Sequence, residues 1–341
     1  MTLETLDFSE FRLGGSEEKQ NFSLKLLESF SQCGFVKLVN HGISDEEIEK
    51  LFDWASSLST FPALPPLNKY NVRFFNLPEE EKTAIAHKGG GSLQRGWSRV
   101  GSEKTQLLHS GVEQTVGDSR NFDQGSPNET DWPTPWPPEH IIPGFRAFME
   151  QFYVKMHESA LTILQSLELA LGIPDQELAT RCAGTASEMC LNNYPAMALA
   201  DWLEGSVGER AHPHTDLGVL TCLFQDGQGG LEMEDREEAV ERFVPIEFGA
   251  KSEMVVNVSD TLQFWTNGVL QGAVHQVTVP AEKRDSGTRM LPSRQSCPFF
   301  LKANRDASVG PLAQFVTPDM PAKYPERTAV EYHQSRLSDL Y

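Results

Sequence analysis

Two residues in one stretch and a third far downstream have the types and spacing to hold a metal ion. His214-Thr215-Asp216 places an imidazole and a carboxylate two positions apart, at the head of a β-rich run. Side chains two apart on a strand share a face, with Cα atoms roughly 6–7 Å apart, so both can reach one ion. His275, in the segment GAVHQVTV, is the candidate third ligand. Two neutral imidazoles and one carboxylate suit an octahedral divalent ion such as Fe(II) and leave three coordination positions open. His212 is a rival ligand, but using it in the same pattern would need an acid at position 214, where a histidine stands. An H-x-D triplet also arises by chance among nine histidines, so its surroundings must carry the assignment.

Those surroundings are strand-like. The apolar run Val219 to Phe224 leads through a turn on Gly227, Gly229 and Gly230 into a second short strand, Leu231 to Met233. Strand patterns are also expected at Met189–Tyr194, His212–Thr215, Phe243–Ile246, Met254–Val258, Gln263–Trp265, Ala273–Val279 and Gln295–Leu301. Several short strands divided by turn signals predict a sandwich or jelly roll. Helices must flank it. Phe145 to Leu171 carries apolar residues at steps of three and four and reads as a spine helix under the sheet, ended by Gly172 and Pro174, with a short helix from Asp175 to Cys182 after it.

Toward the N-terminus, Leu6-Asp7-Phe8 reads as an edge strand, Glu17 to Gln32 as an amphipathic helix, and Phe35 to Val39 as a strand. Gly34 stands where that helix should end, and Asn40-His41-Gly42 is a turn in which His41 is structural. Ser44 and Glu47 form a capping box, and the helix they start is expected to stop at Pro62, Pro65 and Pro66. Leu77 to Lys82 opens another helix, and Gly89-Gly90-Gly91 is a flexible break. Residues 101 to 140 are polar and turn-rich, a long irregular stretch of the kind that is often functional or mobile. A last helix is expected from Thr328 to Leu337. This divides the chain into a 1–140 region of helices, edge strands and loops and a 141–341 region with spine helix, β core and C-terminal helix, packed as one compact unit.

Net charge is −19, from 29 basic and 48 acidic residues. An acidic surface repels phosphate backbones and argues against nucleic acid as a partner. The five cysteines, Cys33, Cys182, Cys190, Cys222 and Cys297, lack metal-type spacing and read as reduced and packed. The N-terminal MTLETLDFSEF has no secretory pattern and no apolar run reaches membrane-spanning length. The expectation is a cytoplasmic protein with no membrane partner.

The order Asn192-Asn193-Tyr194, His214-Thr215-Asp216, His275, Arg294-Gln295-Ser296 resembles the N-x-Y, H-x-D, H, R-x-S series of the iron- and 2-oxoglutarate-dependent oxygenases. The similarity is to the branch that includes isopenicillin N synthase, plant flavonoid and hormone oxidases and fungal thymine hydroxylase. CGFVKLVNHGI near the N-terminus resembles a recurrent signature of the same family, so the likeness spans most of the chain. It implies a double-stranded β-helix (a jelly roll, cupin-like) with the metal at its open end, within an α+β chain that is mainly β with flanking helices. The resemblance also implies Fe(II) on His214, Asp216 and His275, and 2-oxoglutarate and O2 as cosubstrates converted to succinate and CO2.

Arg294 can fork onto the distal carboxylate of 2-oxoglutarate, Ser296 can add a hydrogen bond from the same strand face, Tyr194 is the expected third donor, and Asn192 approaches the metal-proximal end. Lys would lose the fork geometry. The spacing from His275 to Arg294 is longer than usual in the family, and AEKRDSGTRMLPS between them reads as an extended hairpin loop. Arg289 lies in that loop but lacks a following x-Ser. Gln271-Gly272 before His275 and Gln276 after it also depart from the family's usual residues there, which bears on substrate fit rather than iron binding.

Arg95-Gly96-Trp97-Ser98 resembles the family's Gly-Tyr segment, which borders the substrate pocket. Trp97, Ser98, Arg99, Asn193, Phe264 and Phe300 are its candidate lining, for an aromatic or polycyclic small molecule. Phe264 and Phe300 read equally well as core residues, and Arg99 as a solvated loop arginine. The implied function is oxidation of a small organic molecule in secondary-metabolite biosynthesis, with hydroxylation the default and desaturation, ring expansion or ring closure open. The alternatives are a 2-oxoglutarate-independent Fe(II) oxidase of the isopenicillin N synthase type and a catalytically silent binding domain. A nucleic-acid demethylase of related fold is disfavoured by the acidic charge.

Overall fold

A computed structural model describes residues 3–55, 73–88, 93–99, 120–204, 211–236, 242–250, 252–285 and 289–337. Pro62, Pro65, Pro66, the run Gly89-Gly90-Gly91 and residues 101–119 of the polar stretch lie outside these. In chain order, β1 (Thr5–Asp7) and α1 (Ser9–Leu13) precede α2 (Ser16–Gln32), β2 (Phe35–Val39), α3 (Asp45–Ala55) and α4 (Glu79–Thr83). Then come β3 (Gly96–Ser98), β4 (Arg120–Gly125), α5 (Phe145–Leu171), α6 (Glu177–Cys182), β5 (Glu188–Tyr194), β6 (Met197–Ala198) and α7 (Leu199–Glu204). The remainder is β7 (Ala211–His214), β8 (Leu220–Gln225), β9 (Leu231–Glu234), β10 (Phe243–Pro245), β11 (Met254–Val258) and α8 (Asp260–Trp265). It ends with β12 (His275–Val277), α9 (Ala281–Asp285), β13 (Met290–Leu291), β14 (Arg294–Leu301) and α10 (Ala329–Leu337).

Among the described residues the strands form an eight-stranded sheet, β1-β2-β11-β8-β14-β5-β4-β3, and a four-stranded sheet, β10-β9-β12-β7. Apart from β1, which runs parallel to β2, the pairings are antiparallel. This is the expected jelly roll. Its strands alternate. Leu220, Cys222 and Phe224 of β8, Cys297, Phe299 and Leu301 of β14 and Met189 and Leu191 of β5 belong to the core shared with the helices. Phe152 of α5 meets the Phe224 ring at 6.3 Å, and Tyr153 meets Phe299 at 5.1 Å, so this face lies under the spine helix. A second apolar cluster, with Phe35, Val255, Leu231, Met233, Val244 and Val277, fills the space between the two sheets.

The spine helix is 27 residues long, about 40 Å at its usual rise. It ends at Gly172, whose φ of +67° is the left-handed conformation that glycine adopts without steric cost. The capping box at α3 forms as expected: Ser44 Oγ accepts from the Glu47 amide, and the Glu47 carboxylate accepts from the Ser44 amide at 3.1 Å. All five cysteines are buried and unbonded to one another. No helix among the described residues is long and apolar enough to cross a membrane.

Two expectations need correction. Gln263–Trp265 is not a strand but the end of α8, because the Asp260 amide is held by the Asp216 carbonyl and the Thr261 amide by Gly218, which winds the first turn. The segment between His275 and Arg294 is not an open loop: its AEKRD forms α9, and Met290–Leu291 pairs with β6.

At the N-terminal end of the spine helix, Phe74, Phe122, Trp136 and Phe145 pack ring on ring with centroids 4.6–5.9 Å apart. Phe145 is fully buried there. Phe145→Ala removes its ring from Phe74, Phe122 and Trp136 and is expected to cost about 3–5 kcal/mol, read as a fall in the urea midpoint with an unchanged slope.

Candidate active site

β7 and β12 are neighbours in the smaller sheet, and their register sets His214 opposite His275. Asp216 lies just past the end of β7. His214 Nε2 is 3.8 Å from Asp216 Oδ1, and His275 Nε2 is 3.9 Å from Oδ2. One ligand atom from each of the three lies within 4.8 Å of the other two. Among the described residues this is the one such group of His, Cys, Asp and Glu. His212 is not in it.

The orientation of each ligand is fixed by backbone and side-chain partners. The Nδ1–H of His214 donates to the His212 carbonyl at 2.7 Å, and that of His275 donates to the Ala273 carbonyl at 2.9 Å. A carbonyl only accepts, so each ring carries its proton on Nδ1 and presents a bare Nε2 to the shared space. Asp216 is buried, which opposes ionisation, but the facing imidazoles and the donors Asn257 and Thr221 outweigh this and lower its pKa. Both donors go to Oδ2, Thr221 Oγ1 at 2.6 Å and Asn257 Nδ2 at 2.9 Å. Oδ1 is left for a metal. Two bare imidazole nitrogens and a carboxylate oxygen held in place fit a divalent first-row ion with open positions.

The second half of the site lies on the face of the large sheet turned away from the spine helix. Register pairs Arg294 with Tyr194, and Ser296 with Asn192 on one side and Gln225 on the other. Arg294 is 1 % exposed. Its Nε donates to the Gly229 carbonyl at 2.9 Å, Nη1 to Ser296 Oγ at 3.3 Å and Nη2 to Gln225 Oε1 at 2.6 Å, while the guanidinium carbon lies 5.4 Å from the Tyr194 ring centre. The Gly229 carbonyl is delivered by the tight turn before β9. At Gly230 a Cβ would meet the Thr278 carbonyl oxygen at 2.1 Å, so the turn requires glycine. No carboxylate among the described residues forms an ion pair with Arg294. Asp226, the acid whose charge it feels, spends its oxygens on the Gln228 and Gln295 amides. A buried cation without a paired anion is unfavourable by several kcal/mol, and beside it Gln225 Nε2 is buried with no partner. A carboxylate-bearing ligand would satisfy both. Arg289 is exposed in the α9–β13 turn and does not enter the site.

The remaining candidates divide by face. Asn192 and Tyr194 share the site face, and Asn192 donates to Ser296 Oγ at 3.4 Å. Ser98 pairs with Asn121, which pairs with Asn192, so it shares that face as well. Phe300, partner of Thr221, is on it and half-buried. Asn193 and Trp97 are not brought there: Asn193 alternates to the opposite side of β5, and Trp97 pairs with Phe122 in the helix-side core. Phe264 packs on Tyr324 and Tyr332 at 4.6 and 5.3 Å. Arg99 is exposed and pairs with Glu79 at 3.1 Å. His41, read as structural, is buried, with its Nε2 2.8 Å from the Ser252 carbonyl. The sequence reading missed Gln225, Thr221 and Asn257. A polar residue in VVNV and alternate polar positions in LTCLFQ are signals for them.

Asn257→Ala removes one of two tethers on the Asp216 carboxylate. The expected result is a 10- to 100-fold weaker affinity for Mn(II) at an unchanged melting temperature, read by calorimetric titration; equal affinity would show that Asp216 is held without it.

The comparisons with known proteins identify the family. Residues 186–303 match the 2OG-Fe(II) oxygenase superfamily, and residues 3–72 match the N-terminal region of non-haem dioxygenases, described as in morphine synthesis. The 2-oxoglutarate-dependent dioxygenase phqC of Penicillium fellutanum is 48 % identical, over 98 % of this chain and 94 % of that protein. The proline hydroxylase buaE of Petromyces alliaceus is 35 % identical, over the full length of both. A full-length Neurospora crassa protein, solved in complex with alpha-KG and thymine, shares the fold, with a TM-score of 0.83 over 98 % of this chain and 96 % of that one, at 24 % identity. With full-length similarity of this order, this chain belongs to the 2-oxoglutarate- and Fe(II)-dependent oxygenase superfamily and is a dioxygenase of that family.

Proposed function

We propose that the enzyme holds Fe(II) on His214, Asp216 and His275, binds 2-oxoglutarate through Arg294, Ser296, Gln225, Tyr194 and Asn192, and oxidises a small organic molecule of specialised metabolism, in the cytoplasm. Hydroxylation is the default outcome. The observation that carries this reading is the buried guanidinium of Arg294, with no ion-pair partner among the described residues, on the same sheet face as the donors that hold Asp216. Fe(II) held there would supply the redox chemistry by which O2 gives one oxygen atom to 2-oxoglutarate, forming succinate and CO2, and the other to a C–H bond of the substrate.

The chain's own residues do the positioning. Arg294 and Ser296 fix the distal carboxylate, and the Gln225 amide, oriented by accepting from Arg294, offers its free Nε2–H to the same group. Thr221 and Asn257 keep Asp216 turned toward the metal. Phe300 and Ser98 lie on the site face and suit a planar or aromatic substrate. A relative named a proline hydroxylase, and a neighbour holding thymine, support hydroxylation of a small ring-bearing molecule.

With Arg294→Ala, 2-oxoglutarate affinity is expected to fall on the order of 100-fold, since two charge-assisted hydrogen bonds are lost; with Arg294→Lys, about tenfold, because the fork is lost but the charge stays. Calorimetry on Zn(II)-loaded protein reads both. Unchanged affinity in the alanine variant would remove 2-oxoglutarate from this pocket. Product analysis separates the 2-oxoglutarate-independent oxidase, which would turn over without forming succinate.

A further inference from the structure

A second buried charge cluster lies on the site face, at the level of the metal ligands. Along one row of the large sheet, Thr221 of β8 pairs with Phe300 of β14, Phe300 with Glu188 of β5, and Glu188 with Gly125 of β4. Thr221 is the residue that holds Asp216. Two strand spacings separate it from Glu188, about 10 Å. Over Gly125 lies the guanidinium of Arg95: a Cβ at Gly125 would sit 2.5 Å from Arg95 Nε and 2.7 Å from Nη2.

Glu188 and Arg95 are both nearly fully buried. Arg95 Nη1 donates to Glu188 Oε1 at 2.5 Å and to the Gln94 carbonyl at 2.6 Å, and Nε donates to the Trp132 carbonyl at 3.3 Å. Lys302 Nζ pairs with the other oxygen, Glu188 Oε2. Burial opposes ionisation of Glu188, but Lys302 and Arg95 overcome it and hold its pKa at about 2. Arg95 is 6 % exposed, and its Nη2 is buried with no hydrogen-bond partner. A buried donor of this kind carries a desolvation cost that a ligand acceptor would remove. The Glu188 oxygens each have lone pairs beyond the one donor they receive. The row therefore presents a donor and an acceptor side by side, next to the half-buried ring of Phe300.

We propose that Arg95 and Glu188 form the recognition end of the substrate pocket and select a secondary amide or lactam, with Arg95 Nη2 donating to its carbonyl oxygen and the Glu188 carboxylate accepting from its N–H. This rests on the metal reading above only for placing the reacting carbon beside Asp216; the recognition itself needs neither metal nor cosubstrate. Phe300 supplies a face for an aromatic ring fused or joined to the amide.

The test uses three matched probes of one shape: 3,4-dihydroquinolin-2(1H)-one, its N-methyl derivative and the lactone dihydrocoumarin. Ligand-observed NMR titration on the full chain, with and without Zn(II) and 2-oxoglutarate, ranks their affinities. The expected result is about tenfold or tighter binding of the lactam than of either analogue in the wild type. Arg95→Met should weaken lactam and lactone alike, by about tenfold, because both lose the donor to their carbonyl oxygen. Arg95→Lys, which keeps the charge against Glu188 and hence the fold, should weaken both probes in the same way, because the ammonium does not supply the Nη2 donor. Equal binding of lactam and lactone in the wild type, no lactam binding up to millimolar concentration, or an undiminished lactam affinity in Arg95→Lys would overturn the proposal. Loss of 2-oxoglutarate binding with the lactam preference intact would instead count against the Arg294 pocket alone.

Discussion

The site depends on the register of one short antiparallel pair. β7 and β12 place His214 directly opposite His275, and Asp216 follows at the end of β7. A slip of one residue would turn one imidazole to the other face of the sheet. The pair is pinned from both sides. β9 pairs with β12 along its other edge, setting His275 against Met233, and the Phe35 ring meets the His275 ring edge-on at 5.9 Å. Asp216 is tied to the large sheet through Thr221 and Asn257, so the metal ligands sit where the two sheets are joined.

The large sheet buries both faces while keeping one of them polar. Its helix side is apolar, with Phe224, Phe299, Met189 and Leu191 under the spine helix. Its other side carries a row in register across five strands: Ser98, Asn121, Asn192, Ser296 and Gln225. Buried polar groups are costly unless they are satisfied. A polar, charged ligand stretched along the row would complete the hydrogen bonding of its buried arginine. The apolar face supplies the packing that holds the strands in register, and the polar face uses that register to line up donors.

The candidate metal ligands and the proposed cosubstrate anchor were legible in the sequence because their signal is local. His214 and Asp216 sit two apart in a β pattern, and Arg294 and Ser296 two apart in another. The spine helix was legible for the same reason, as an uninterrupted apolar stripe closed by Gly172. What was not legible depends on pairing. Trp97 and Asn193 carry the right chemistry, but strand register turns them to the helix side, and no local feature of GWS or LNNY shows this. α8 was mistaken for a strand because Phe264 and Trp265 favour strands, while the hydrogen bonds that wind it come from Asp216 and Gly218, over 40 residues earlier. The Arg95, Glu188 and Lys302 cluster unites three distant segments, each unremarkable alone.

The measurement that tests the account most directly is an anaerobic titration of the metal-free protein with Fe(II) and then 2-oxoglutarate, followed by visible absorption. Chelation of the cosubstrate to iron gives a charge-transfer band. The account predicts a saturable band in the wild type, none in His214→Ala, and one reached only at much higher 2-oxoglutarate in Arg294→Ala. A band of undiminished strength in His214→Ala, or a wild type that binds iron and shows no band on addition of 2-oxoglutarate, would contradict it.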